Sequence, residues 1–349
     1  MKKNVLVLFG GCSPEYPISL KSAYGILTHI NADKYNVLAM GITRDGRWLR
    51  YHGDYEEILN DTWQQNHRQC TPAFLSPDRS VHGIGEVKEN GLSFTYVDAV
   101  FPVLHGKNGE DGSVQGLVDL AGIPTIGCGT LSSALCMDKY RAHQIVSLAG
   151  IKVPKAVFFN HKPTAEELYE ESKALTYPLF VKPLRAGSSF GISKIAEKTQ
   201  LVEAVDLAFQ YDSEIIIEES IEGFEVGCAV LGNDQLTLGR VDEIELSHGF
   251  FDYTEKYTQK TAKIHMPARI DEATEARVRE AAAKIYIALA CSGFARVDMF
   301  LTPAGEIIFN EVNTIPGCTD CSRFPSMLRG IGMDYATVVE TLISLEISK

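Results

Sequence analysis

The stretch RVDMFLTPAGEIIFNEVN, residues 296–313, decides how the chain is built. Arg296–Phe300 and Ile307–Asn313 alternate as strands do, and Thr302–Pro303–Ala304–Gly305 reads as a turn. With Pro303 and Ala304 as the two loop residues, Arg296 falls opposite Glu311 and Asp298 opposite Phe309. Arg296, Asp298, Glu311 and Asn313 then share one face, while Val297, Met299, Leu301, Ile308 and Val312 share the other. A one-residue change of register would split the polar set. One face is core; the other carries two carboxylates and an amide beside a cation, an oxygen donor set that suits Mg²⁺ completed by substrate phosphates. Taken alone, the hairpin reads equally well as a surface salt bridge.

Outward from the hairpin, the chain has the size and composition of a multidomain globular protein: 349 residues, 45% hydrophobic and 22% charged. A net charge of -12 argues against nucleic acid or an anionic membrane as main partner, while leaving room for a locally positive pocket. Val5–Phe9 is too short for an export signal or membrane span and reads as a first strand. The eight scattered cysteines read as cytosolic thiols, and Cys318-x-x-Cys321 lacks the second pair that a zinc site needs.

The first third alternates strand and helix: strands at Val5–Phe9, Tyr35–Ile42 and Asp98–Leu104, helices at Ser19–Ile30 and from Gly112 to Leu120. This predicts an α/β layer with a largely parallel sheet. Residues 44–96 read as irregular. A helix over Ser132–Ala149 ends at Gly150, and strands follow at Tyr177–Lys182, Gly191–Ile195 and Glu214–Glu218, with a helix at Leu201–Phe209. From Gly223 onward a second α+β body is expected. The segment 246–262, LSHGFFDYTEKYTQKTA, is aromatic and aperiodic, as a lid would be.

Several loops carry phosphate chemistry. FVKPLRAGSSFGISKI joins a strand lysine, Lys182, to the small residues Gly187–Ser188–Ser189, whose backbone can approach phosphate oxygens. Neither G-x-x-x-x-G-K-[ST] nor a G-x-G-x-x-G after the first strand is present. Glu218, Glu219 and Glu225 follow an apolar strand, where a carboxylate and exposed backbone can grip a base and a ribose. Glu15 and the loop HGKNGEDG at 105–112 lie at carboxyl ends of strands, where open α/β sheets bind ligands, and Glu15 there suits an ammonium group.

These stretches, together with GGCSPEYPIS, CMDKYRAH, FFDYTEKY and NEVNTIPG, resemble the D-alanine–D-alanine ligase family of ATP-grasp enzymes over nearly the whole chain. The resemblance implies a three-domain ATP-grasp fold of α/β and α+β type with an N-terminal Rossmann-like parallel sheet: a substrate-binding domain at 1–135, a central subdomain at 136–220 and a C-terminal domain at 221–349 with the lid. By motif, Lys139 and Lys182 would contact ATP phosphates, and Glu218, Glu219, Ile221 and Glu225 would line the adenine and ribose site. Asp298, Glu311 and Asn313 would hold two Mg²⁺ ions, with Mn²⁺ as a substitute. Arg296 and the Gly317 N–H would stabilise a tetrahedral intermediate. Glu15, Ser188 and Tyr257 would form a hydrogen-bonded triad around the first D-alanine, with His105 nearby and Lys256 on the γ-phosphate. The family also implies a cytoplasmic homodimer.

The sequence departs from the usual family pattern after NEVNTIPG, where Cys318–Thr319–Asp320–Cys321–Ser322–Arg323 stands instead of a run close to M-T-S-H-S-L. Ser322 keeps the hydroxyl expected at the second substrate's carboxylate, and Arg323 replaces an apolar leucine where its side chain should lie. Phe251 stands on the lid where many members carry tyrosine, and the lid keeps Glu255–Lys256–Tyr257. This pattern resembles the vancomycin-resistance D-alanine–D-serine ligases of the VanC and VanG type, in which a polar site would read a serine hydroxyl. Alternatively Arg323 pairs outward with Asp320, and the chain joins two D-alanines. A regulatory protein that kept the fold and lost catalysis is disfavoured, because Arg296, Glu311 and the triad are all present.

Overall fold

The computed structural model describes residues 2–187, 190–246 and 262–347. Three sheets organise them. The first runs in the order β6-β5-β4-β3-β2-β1-β7, with β1 Lys3–Gly10, β2 Tyr35–Ile42, β3 Trp48–Tyr51, β4 Cys70–Leu75, β5 Gly83–Lys88, β6 Gly91–Tyr96 and β7 Ala99–Val103. β1 pairs in parallel with β2 and β7, and its VLVLF run is buried on both faces, as a central parallel strand requires. β2 to β6 are antiparallel neighbours, so the sheet is mixed. The expectation of an irregular 44–96 fails here: these residues supply four strands. β6 turns its apolar residues outward, with Leu92, Phe94 and Tyr96 each more than half accessible, while β3 and most of β5 are buried without alternation.

The second sheet, in the order β10-β9-β11-β8, comprises β8 Ala156–Phe159, β9 Leu179–Pro183, β10 Ser193–Ile195 and β11 Ile215–Glu219. The third runs β14-β13-β12-β15-β16, with β12 Phe224–Leu231, β13 Thr237–Leu246, β14 Ala262–His265, β15 Phe294–Leu301 and β16 Ile307–Asn313. Around the sheets pack α1 Tyr16–His29, α2 Tyr55–Leu59, α3 Ser113–Ala121, α4 Thr130–Met137, α5 Lys139–Leu148, α6 Ala165–Ser172, α7 Leu201–Ala208, α8 Glu272–Ala288, α9 Arg323–Arg329 and α10 Tyr335–Ile347. The single helix expected over 132–149 is two helices. Asp138 breaks it with ψ 97 and accepts from the Arg141 N–H, so it caps α5 instead of continuing α4.

One apolar cluster joins the first and third sheets: Val5, Val7 and Phe9 share it with Phe294, Phe324, Met327 and Leu342. Gly127 and Gly293 meet at this junction. A Cβ on Gly293, whose φ is +67°, would sit 2.7 Å from the Gly127 Cα, so the two segments touch backbone to backbone. No described helix is long and apolar enough to cross a membrane.

The hairpin that opened the sequence reading is present, with a different register. Leu301 faces Ile307, so the connection has five residues, closed by the Thr302 N–H to the Glu306 carbonyl at 3.0 Å. Counted from this turn, Asp298 would face Asn310 and the polar set would be split. A β-bulge between Asp298 and Met299 inserts Asn310 as an extra residue, after which Asp298 faces Glu311 and Arg296 faces Asn313. The shared polar face therefore stands, but the pairs are exchanged, and Phe309 takes the core position expected of Ile308.

Candidate active site

The bulge completes a transverse row. Asp242 on β13 pairs with Gly227 on β12, Gly227 with Asp298 on β15, and Asp298 with Glu311 on β16. Cross-strand partners point to the same face, so three carboxylates line up with one glycine gap. The gap has an occupant. A Cβ on Gly227 would lie 2.7 Å from Asp242 Oδ1 and 2.9 Å from Asp298 Oδ1, and it would overlap the Arg323 guanidinium.

Arg323, the first residue of α9, lays its side chain over this gap, 8% exposed. Its Nε and Nη2 donate to Asp242 at 2.7 and 2.8 Å, Nη1 donates to Glu225 Oε1 at 3.2 Å, and Nη2 lies 3.2 Å from Asp298. Burial works against its charge, but Asp242, Asp298 and Glu225 outweigh it and raise its pKa well above the ordinary value. The outward pairing with Asp320 does not form; Arg329 lies 3.9 Å from Asp320 instead.

Arg296 grips Asp298 with Nε at 2.9 and 3.0 Å and Nη2 at 2.7 Å, and Asn313 Nδ2 donates to Asp298 Oδ2 at 2.9 Å. Asp298 is 1% exposed, so two arginines and an amide compensate a fully desolvated charge. Asp298, Glu311 and Asn313 offer only hard oxygen donors. Among the described residues no group of three or more His, Cys, Asp or Glu forms an all-protein metal cage. The set fits Mg²⁺ whose remaining ligands are phosphates and water, and does not fit a structural transition metal.

These residues line a cavity of about 340 Å³ together with Glu15, His105, Lys139, Gly187, Glu225, Gly317, Ser322 and Arg323. Glu15 stands at the start of α1, just beyond β1, and is 8% exposed. Its carboxylate is wedged between two glycines: a Cβ on Gly187 would come within 3.0 Å of Oε2, and one on Gly106, where φ is +73°, would overlap it. The Gly187 loop, whose Ser188 was expected beside Glu15, thus reaches that carboxylate. His105 is buried, with Nε2 3.1 Å from Ser22 Oγ, and the same hydroxyl accepts from the Cys318 N–H at 3.2 Å. Burial lowers the His105 pKa and keeps the ring neutral. Gly317 and Ser322 sit close, and Ser322 Oγ accepts from the Thr319 N–H at 3.0 Å.

Toward the second sheet, Lys139 Nζ donates to the Leu184 and Ala186 carbonyls at 3.3 and 3.1 Å, tying α5 to the loop after β9. Lys182 pairs with Glu218, which is 3% exposed. Burial pushes the Glu218 pKa up, but Lys182, His143 and Lys139 together bring it below the usual carboxylate range. Among the described residues Glu218 Oε2 has no hydrogen-bond partner, and it is free to accept from a ligand donor. Glu219 turns away, accepting from the Thr176 N–H at 2.9 Å with Lys155 3.9 Å off. Ile221 is half-buried just after β11. Lys182, Glu218, Glu219 and Ile221 lie outside the cavity that holds the hairpin residues.

Ser188, Phe251, Lys256 and Tyr257, and the lid except its two ends, lie outside the described residues. Three participants escaped the sequence reading. Asp242 and Gly227 are visible only through sheet register. Glu110, within HGKNGEDG, accepts from the Gly106 N–H at 2.9 Å and the Ile315 N–H at 3.2 Å, bridging the first body to the loop after β16. Burial, helped by Glu15, pushes its pKa up to about 8.

A sheet-borne carboxylate platform, two lysines toward the second sheet and a glycine-cradled Glu15 are arranged as in an ATP-grasp fold. The model of the D-ala D-ala ligase N-terminus matches residues 4–128, and that of the C-terminus matches 145–344. The chain belongs to the D-alanine–D-alanine ligase family. It is 42% identical to the D-alanine–D-alanine ligase of Caldicellulosiruptor bescii, over 100% of this chain and 96% of that one. It is 44% identical to the vancomycin B-type resistance protein VanB of Enterococcus faecalis, over 100% and 99%. Among solved structures, the VanG D-Ala:D-Ser ligase of Enterococcus faecalis is 57% identical, with a TM-score of 0.93 and 99% coverage of both chains.

Proposed function

We propose that this protein is a cytoplasmic, ATP-dependent ligase that joins D-alanine to D-serine for an altered peptidoglycan precursor, conferring vancomycin resistance, and that it acts as a homodimer. The observation that carries the choice of D-serine is Arg323, a buried cation lining the cavity beside Ser322. Held by Asp242 and Glu225, its guanidinium is pre-oriented and presents a polar wall where a methyl group would want an apolar one. Similarity to the VanG D-Ala:D-Ser ligase supports this reading.

In this reading Glu15 receives the ammonium group of D-alanine, with Ser188 and Tyr257 completing its hydrogen bonds. Lys139, Lys182 and Lys256 would position the ATP phosphates, and Glu218, with Glu219, Ile221 and Glu225, would bind adenine and ribose. Asp298, Glu311 and Asn313 would hold two Mg²⁺ ions, or Mn²⁺ in their place. Bound there, the metal would screen the triphosphate's negative charge. The D-alanine carboxylate attacks the γ-phosphorus and ADP leaves, giving D-alanyl phosphate. The D-serine amine, its extra proton released to solvent, then attacks the acyl carbon; the C–N bond forms, the C–O bond to phosphate breaks, and phosphate leaves taking up the second amine proton. Arg296 and the Gly317 N–H face the oxyanion of that second step.

A specific observation favours a second reading. Arg323 makes four contacts with carboxylates, so it also qualifies as a structural hub, and the chain would then be a D-alanine–D-alanine ligase. Incubation with Mg-ATP, D-alanine and D-serine, followed by mass analysis of the dipeptides, separates the two. D-Ala–D-Ser as the main product is expected; D-Ala–D-Ala as the main product would overturn the assignment.

A further inference from the structure

The chain leaving β16 carries Gly317, and its residues Thr314 to Gly317 line the cavity. This strap is seated on the first body at both ends. At one end the Ile315 N–H donates to Glu110 Oε1 at 3.2 Å, while Glu110 Oε2 accepts from the Gly106 N–H at 2.9 Å. One carboxylate therefore spans two loops, and the Gly106 that it holds is a glycine of the Glu15 cradle. At the other end the Cys318 N–H donates to Ser22 Oγ at 3.2 Å, and the Cys318 carbonyl accepts from the Tyr335 hydroxyl. That carbonyl crosses α1 at Gly25, where a Cβ would come within 2.7 Å of it. Ser22 and Gly25 share one face of α1, so the helix offers a hydroxyl to the N–H and a gap to the carbonyl. Pro316 stiffens the strap between its anchors. Gly317 thus lies between two backbone N–H groups that are both tethered to the body bearing Glu15.

We propose that Glu110 is a positioning residue: together with Ser22 it fixes the Gly317 N–H relative to the Glu15 cradle, and so aligns the oxyanion donor with an acyl group whose amine Glu15 holds. The inference rests on the ligase reading above and deepens it by naming what sets the geometry of the second step. Glu110 touches neither metal nor reacting atoms in this scheme. Its effect falls where an oxyanion forms, in the attack of the second amine on the acyl carbon. Phosphoryl transfer takes place at phosphorus and does not use the Gly317 N–H. When the second step slows, unused D-alanyl phosphate escapes and is hydrolysed: water takes the place of the amine, the bond to phosphate breaks, and D-alanine and phosphate return. ATP is then spent without dipeptide. Loss of a whole oxyanion donor costs about 10²–10³ in rate, and loss of one anchor of two should cost less, about tenfold.

The test uses the full-length protein with Mg-ATP, saturating D-alanine and whichever second D-amino acid the wild type joins best. Positional exchange of a heavy-oxygen label within ATP, with D-alanine as the acyl donor, reads the first step; dipeptide and phosphate measured together read the second. Glu110→Gln keeps the volume but has one acceptor oxygen for two N–H groups. It is expected to keep isotope exchange within about threefold of wild type while dipeptide formation falls about tenfold, with phosphate released in excess of dipeptide. Ser22→Ala frees the other anchor and is expected to split the two steps in the same sense. A merely structural role would lower exchange and ligation together and leave phosphate matched to dipeptide; that result, or wild-type behaviour in Glu110→Gln, would overturn the assignment. If Glu110→Gln does not fold, Ser22→Ala decides alone: the split supports the tethered strap and its absence removes it. A wild type that neither exchanges the label nor makes dipeptide is distinguishable, because it overturns the ligase reading itself.

Discussion

Replacing Arg323 by leucine removes the guanidinium and keeps an apolar stem, and is expected to do two separable things. The first is a loss of stability. Asp242 is wholly buried and takes two hydrogen bonds from Arg323, whereas Asp298 retains Arg296 and Asn313 when Arg323 is gone. The loss therefore falls mainly on Asp242, one stranded buried carboxylate, and removing one partner of such a pair costs about 3–5 kcal/mol. Replacing both partners with apolar side chains is often neutral. The double variant Asp242→Leu/Arg323→Leu should thus recover to within about 1 kcal/mol of wild type, a coupling of at least about 2–4 kcal/mol, larger by whatever Asp242→Leu costs alone. Denaturant unfolding of wild type, both single variants and the double variant measures this cycle. A loss below about 1 kcal/mol in Arg323→Leu, or strictly additive effects, would refute the picture of a buried hub. The second effect is on selectivity. The ratio of kcat/KM for D-serine over D-alanine as second substrate should fall at least about tenfold in the folded enzyme, a floor well below the roughly 10⁴–10⁵ by which a site built to hydrogen-bond a hydroxyl can discriminate. An unchanged ratio alongside the stability loss would leave Arg323 as architecture and remove it as a reader of serine.

Other outcomes follow from the same geometry. Glu311→Gln removes one of the two carboxylates on the platform and is expected to abolish ATP-dependent phosphate release while circular dichroism stays that of the wild type; normal turnover would count against a metal site there. Gly106→Ala forces a side chain into a φ of +73° and into Glu15, so KM for D-alanine should rise about tenfold or more with KM for ATP little changed; equal changes in both would point to general damage. Lys182→Met should raise KM for ATP and reverse a pH effect. In the wild type the depressed Glu218 pKa adds stability above the ordinary 4.5, lost as pH falls through the lower folded value. Without Lys182, burial dominates, Glu218 titrates above its ordinary value, and stability should instead decline as pH rises from about 5 to 7. Thermal melts across that range decide the sign.

The sequence exposed what depends on local pattern. The VLVLF strand and the hairpin's polar face could be read directly, because apolar runs and period-two alternation are written into neighbouring residues; helix α1 was placed as well, but begins at Tyr16, three residues before the expected Ser19. What it hid depends on how distant strands align. Asp242 looks like any charged strand residue until its partner Gly227 and the next partner Asp298 place it in the row beneath Arg323. The 44–96 strands were missed for two reasons: β6 does alternate, Leu92–Ser93–Phe94–Thr95–Tyr96, but was passed over among Gly, Pro and His, whereas β3 and β5 are short and largely buried and carry no alternation. The hairpin register was misjudged twice, in the length of the turn and in the bulge, and the two errors cancelled in parity, so the polar face was right for incomplete reasons. The helix over 132–149 failed at one residue, Asp138, whose capping side chain outweighs the helical run around it.

The bulge at Asn310 gives the hairpin an uneven tolerance to changes in chain length. Residues 302–306 form a loop whose closure is local, and a residue gained or lost there only resizes the turn while the register beyond it is kept by the core contacts of Phe309 and Val312. A deletion at 310 is absorbed differently. It would bring Glu311 into the regular ladder position opposite Asp298, so the pairs Asp298–Glu311 and Arg296–Asn313 would stand. A deletion between 311 and 313 has no such refuge and would invert the side chains beyond it. Length variation among working descendants of this chain should therefore collect at the tip of the hairpin and at the extra residue, and be absent from the three residues that follow it.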